Sequence, residues 1–215
     1  MQIEFNLAKS SEKIFLVGTF LLASTMSIGI ILILIASIIS TFYRKNEFFK
    51  DKWSRYLIAI GLLMLISCLV QTFSYSNQNL YGWEISLTWI GLLNWLPLFY
   101  LFISIQDFVK TNSQRLKVAI CLVSGTIPVL ITGFGQYFLK WEGPLVLGDG
   151  LVIWYIKAIK DHMGLSGLFS NQNYAGTWLS VMWPFNLSFI FINKKNIFKE
   201  SLSLLFLLIT TLAIV

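Results

Sequence analysis

Residues 14–42 read IFLVGTFLLASTMSIGIILILIASIISTF, 29 positions without one charged side chain. As one helix such a run rises about 44 Å, more than the roughly 30 Å hydrocarbon core of a bilayer. It therefore predicts a membrane helix that tilts or extends past the hydrocarbon. It does not read as a signal peptide: the apolar region is too long, Glu4 and Glu12 precede it, and no small-x-small cleavage site follows.

Further apolar runs follow at Tyr56–Phe73, Ile85–Gln106, Val118–Leu139, about Tyr174–Ile192, and from Ser201 to the last residue, Val215. The last run, read as 15 residues, spans only about 22 Å of helix and looks cut off. The expectation is an all-α fold: a polytopic transmembrane helix bundle of about six spans with the last one incomplete. Residues 1–215 are then one helical domain, the front part of a longer protein or a truncated copy.

Composition agrees. Of the 215 residues 56% are hydrophobic and 12% charged, against about 25% charged in a typical soluble domain. That balance excludes a disordered chain, a collagen-like chain, a disulfide scaffold and a water-soluble globule. The net charge of +6 does not imply nucleic acid, because in a membrane chain the placement of charge matters more than its sum.

Placement is informative here. Arg44, Lys45, Lys50, Lys52 and Arg55 lie between the first two runs; Lys110, Arg115 and Lys117 between the third and fourth; Lys194, Lys195 and Lys199 between the last two. Eleven of the 16 basic residues thus fall on one side. The positive-inside rule puts those loops in the cytoplasm and the N-terminus outside, in an integral inner-membrane protein with several passes. Tyr43, Trp53 and Tyr56 mark the inner interface, and Tyr75, Tyr81, Trp83, Tyr137 and Trp141 the outer one. Pro97, Pro128 and Pro184 fall within spans and should kink them.

Polar side chains within the spans are few. Gln71, Asn94 and Asn186 suit interhelical hydrogen bonds. Cys68 and Cys121 sit in apolar runs and read as core residues. With two cysteines and one histidine, neither a metal site nor a cofactor is implied.

The segment 140–173 is the one sizeable non-membrane region and should face outward. Trp141–Pro144 and Gly148-Asp149-Gly150 are turn signals. Leu151–His162 (LVIWYIKAIKDH) fits a short interfacial helix on which Lys157 and Lys160, three apart, share a face. Those lysines either snorkel at the interface or pair with phosphates of lipids or of a diphosphate-linked substrate. At Asn171 or Asn173 a cap opens the next helix. That helix start reads either as a plain entry into the membrane or as an anion-binding end, and Ala175 and Gly176 permit close approach of a helix or substrate.

The string GLFSNQNYAGTWL, Gly167 to Leu179, resembles the glycine–phenylalanine–asparagine box of the bacterial O-antigen ligase and polymerase family, approximately R-x-x-G-x-F-x-N-P-N-x-x-A-x-x-L. Gly167, Phe169, Asn171, Asn173, Ala175 or Gly176, and Leu179 match; Pro184 follows, and Gln136 and Tyr137 ahead of the loop also look like the family. The box arginine is absent, since its place holds Gly164. The family's histidine-bearing loop would fall beyond Val215, and His162 does not stand in for it.

The resemblance implies a glycan transferase that takes a polyprenyl-diphosphate-linked glycan to a sugar acceptor on the outer face of the inner membrane, without metal. It further implies that Lys157, Lys160, Gly167, Asn171 and Asn173 bind the diphosphate-sugar, and that membrane lipids are partners. No catalytic base is assigned, so the chain should bind the carrier without turning it over alone. Two other readings stand beside it. One is a non-catalytic partner subunit for other membrane proteins. The other is a bicarbonate or solute transport protein, against which the spans carry no buried charge.

Overall fold

The computed structural model describes residues 2–43, 52–75, 84–159, 164–193 and 196–214. Arg44, Lys45, Lys50, Tyr81, Trp83, Lys160, His162, Lys194 and Lys195 lie outside the described residues. The fold is all-α apart from one small hairpin. Its helices are α1 (Gln2–Leu21), α2 (Met26–Tyr43), α3 (Lys52–Tyr75), α4 (Ile85–Ile105), α5 (Asn112–Gly125), α6 (Ile127–Phe138), α7 (Gln172–Ile192) and α8 (Ile197–Ile214). Five described helical segments are long and apolar enough to cross a membrane: Lys52–Ser74, Ile85–Phe108, Asn112–Phe138, Gln172–Ile192 and Ile197–Ile214.

The run 14–42 is not one helix. It breaks at Leu22–Thr25, where Ser24 and Thr25 turn their hydroxyls back to the Leu21 carbonyl. Such back-bonding competes with the helical ladder. On either side of the break Gly18 and Gly29 meet so closely that a Cβ on either would lie 2.9 Å from the other's carbonyl oxygen. The last run also differs from its reading. Its helix starts at Ile197, not Ser201, because the Asn196 carboxamide accepts from the Lys199 amide (3.1 Å) and so caps the first turn. At 18 residues α8 is long enough to cross.

The contacts group the chain into two compact units, Met1–Glu12 with Leu34–Lys110, and Lys13–Ile33 with Thr111–Val215. In the first, α3 and α4 run antiparallel. Trp89 Nε1 donates to Thr72 Oγ1 (3.0 Å) and Thr88 Oγ1 to Gln71 Oε1 (3.4 Å). Gly61 opens room for Leu96. Cys68 is buried and its thiol points to the Thr88 carbonyl, as a core residue does. A seam of small residues, Ala36, Ser37, Ser40 and Ser104, is buried. At its end Ser40 donates to Asp107 (2.9 Å), which also pairs with Lys110 (2.9 Å). Asn94, in contrast to its expected role, is exposed on α4.

In the second unit α5 and α6 are one span jointed at Thr126. Pro128 falls in the first turn of α6, where its missing N–H leaves no bond unmade, so it joints the span rather than kinking a continuous helix. The core gathers Ala23, Val129, Leu130, Leu168 and Leu179, with Phe134, Trp154, Phe169 and Trp178 against it. Helices α7 and α8 are antiparallel and laddered by Trp183–Thr211 (3.0 Å), Asn186–Thr210 (3.2 Å) and Asn193–Ser203 (3.1 Å). Asn186 is thus an interhelical bonding residue, as its place in an apolar run suggested.

The interfacial helix expected over Leu151–His162 is absent from its described part. Residues Val152–Trp154 form strand β2, paired antiparallel with β1 (Leu145–Leu147), and residues 155–159 belong to no helix or strand, Ile156 taking φ 34°. The reason is local. Gly148, Asp149 and Gly150 all take positive φ (59°, 52° and 92°), which closes a tight turn, and β-branched Val152 and Ile153 suit a strand. A short apolar run does not by itself distinguish helix from strand. Trp154 Nε1 then donates to the Ser24 carbonyl (2.7 Å), tying the hairpin to the α1–α2 turn.

Candidate functional site

The box residues sit where the chain comes back from the hairpin and enters α7. A single buried side chain organises them. Gln136, 2% exposed at the end of α6, accepts through Oε1 from the amides of Ser166 (3.1 Å) and Gly167 (3.0 Å). Its Nε2 donates to the Lys157 carbonyl and to Ser166 Oγ (3.0 Å). The Lys157 amide closes the circuit by donating to Ser166 Oγ (3.1 Å). One carboxamide thereby satisfies buried groups from two strands of the loop, as a buried polar network must.

Gly167 takes φ +51°, and a Cβ there would lie 3.1 Å from the Val129 carbonyl oxygen. Both the conformation and the space call for glycine. Gly167 is buried against α6 and so positions the loop. Asn171 is the cap of α7: extended at φ −150°, it accepts through its side chain from the Asn173 amide (2.8 Å), while its carbonyl takes the amides of Tyr174 and Ala175. The helix end is satisfied mostly from within. Asn171→Ala is expected to cost about 1 kcal/mol, read as faster hydrogen exchange confined to the first turn of α7.

Beside this loop lies a groove of about 1110 Å³. One wall is aromatic, Phe134, Tyr137 and Phe138 of α6. The facing wall is Asn173, Gly176, Thr177 and Ser180, a polar and small stripe three and four residues apart along one face of α7. Gly164 and Gln172 line it too, joined by a bond from the Gly164 amide to Gln172 Oε1 (2.7 Å). The end of α8 completes the lining with Leu212, Ala213 and Ile214.

Of the residues singled out by sequence, the structure brings Asn173 to the groove, Asn171 to the cap and Gly167 to the loop anchor. Lys157 is exposed, with its main chain pinned beside Ser166. Because residue 157 lies in no helix, the shared helical face proposed for Lys157 and Lys160 does not form at Lys157, and Lys160 lies outside the described residues. Sequence reading noted Gln136 but gave it no role; a lone amide at the end of an apolar run was the available signal. Gln172, Gly176, Thr177 and Ser180 as a lining were missed as a set, although their helical spacing was legible.

Fold and groove together define an all-α, membrane-compatible helical protein with an amphipathic groove at the entry of one long apolar helix. Comparison with protein-family models, curated proteins and solved structures found no match to this chain.

Proposed function

We propose that the groove between α6 and α7 receives a lipid-linked sugar carrier, in a protein of the O-antigen ligase and polymerase type working at the outer face of the inner membrane. The observation that carries this reading is the pairing of walls: aromatic rings on one side suit an isoprenoid chain, and the stripe that begins at Asn173 offers hydrogen bonds to the polar end. The likeness of Gly167–Leu179 to the family's box supports the same substrate class. Lys157 is a described cation whose main chain is fixed at Ser166, next to the box, and it would meet a diphosphate as a point charge. The chemistry asked of such a site is stabilisation of the departing diphosphate and activation of an acceptor hydroxyl.

The test is binding. A photoreactive polyprenyl diphosphate, offered to the chain in nanodiscs, should label α6 and α7 of the wild type. Gly176 has open space where its Cβ would be and lines the groove, so Gly176→Phe adds its bulk on the groove side of α7. We expect it to cut labelling roughly tenfold, about 1.4 kcal/mol of binding. Lys157→Gln should weaken labelling less and abolish its salt dependence. Undiminished labelling of the Gly176→Phe protein refutes the assignment.

A further inference from the structure

Asn186 lines a second cavity, of about 260 Å³, whose walls come from α5, α7 and α8 with Ile127 at the start of α6. Its side chain is 2% exposed. The orientation of the carboxamide follows from its neighbour. Thr210 Oγ1 donates to the Phe206 carbonyl (2.8 Å), so towards Asn186 it acts as acceptor, and the group that faces it at 3.2 Å is the Asn186 NH2. Oδ1 is left on the other side. It has no hydrogen-bond partner among the described residues. A buried acceptor left unpaired costs free energy that a donor would recover.

The remaining lining is apolar, Val123, Ile127, Phe189 and Phe206 among it, with the hydroxyls of Ser124 and Ser203. Among the described residues no ionisable side chain lines the cavity, and its helices belong to segments apolar enough to cross a membrane. A charged ligand is disfavoured there. The volume equals that of roughly nine waters at ~30 Å³ each, enough for a chain of about nine heavy atoms.

We propose that this cavity binds a neutral apolar chain ending in one hydroxyl, which donates to Asn186 Oδ1. The site is separate from the α6–α7 groove and does not depend on the function proposed for it. A diazirine-bearing octanol, photolysed with the whole chain in nanodiscs, should label residues of α5, α7 and α8 around Asn186. Unlabelled 1-octanol should compete at least tenfold better than 1-methoxyheptane, which has the same number of heavy atoms but no donor. Asn186→Leu removes the acceptor. Ser124→Phe fills the space from α5 and leaves the Asn186–Thr210 pair in place, so it serves if the first variant does not fold. Each should lower labelling at these positions at least tenfold. Equal competition by the ether, labelling unaffected by Ser124→Phe, or no adduct around Asn186 overturns the proposal.

Discussion

Replacing Gln136 by leucine is expected to release the loop that carries the box and to destabilise its unit by several kcal/mol. Leucine approximates the volume but makes none of the bonds. The amides of Ser166 and Gly167 and the Lys157 carbonyl then lose the partner they have in the buried network. Each of these three buried polar groups left unmade costs about 1–3 kcal/mol, so a total on the order of 3–9 kcal/mol follows if the loop stays packed. The cheaper outcome is that it unpacks. Limited proteolysis and hydrogen exchange should show new exposure between residues 155 and 171, with α3 and α4 unaffected. A wild-type exchange pattern in that loop would mean the network contributes little.

The second large effect is expected at Gly125. A Cβ built there would lie 2.4 Å from the Phe20 carbonyl oxygen, a main-chain atom near the end of α1. A flexible side chain would move aside; a helix backbone does not without shifting its neighbours. Gly125→Val should cost about 3 kcal/mol through overpacking, measured as lowered thermal stability in detergent. Gly91 is the control. It is also within an apolar helix but meets nothing within 4 Å, so Gly91→Ala should be neutral or stabilising by up to ~1 kcal/mol. Equal responses at the two positions would show that the α1–α5 approach is not close in the folded protein.

How far the sequence could be read depended on the range of the interaction. A cap at Asn171 or Asn173 was legible because capping is settled within three residues, with the structure selecting Asn171, and the turn at Gly148–Gly150 because its left-handed conformations are a property of those residues. The strand after that turn was misread, since six apolar residues in a row satisfy either period and the deciding partner, Leu145–Leu147, is set by pairing. The long first run was misread for a related reason. Nothing in its hydropathy announces the break at Leu22–Thr25, which is held by back-bonded hydroxyls and by the fit of Gly18 to Gly29. Lys157 was picked for its charge, yet its backbone, held by a glutamine 21 positions earlier, is what the structure organises.

The amino-acid order by itself determined that this chain is helical, apolar enough to cross a membrane several times, and capped at Asn171 or Asn173 where the last helical pair begins, because burial pattern and capping are local. Only the tertiary structure decided that Gln136 is the anchor of the loop that leads into α7, that four α7 residues face three aromatic rings across a groove, and that Asn186 keeps one acceptor unpaired among the described residues. Those facts arise where segments distant in the chain compete for the same buried hydrogen bonds, and no window of sequence contains both sides of that competition.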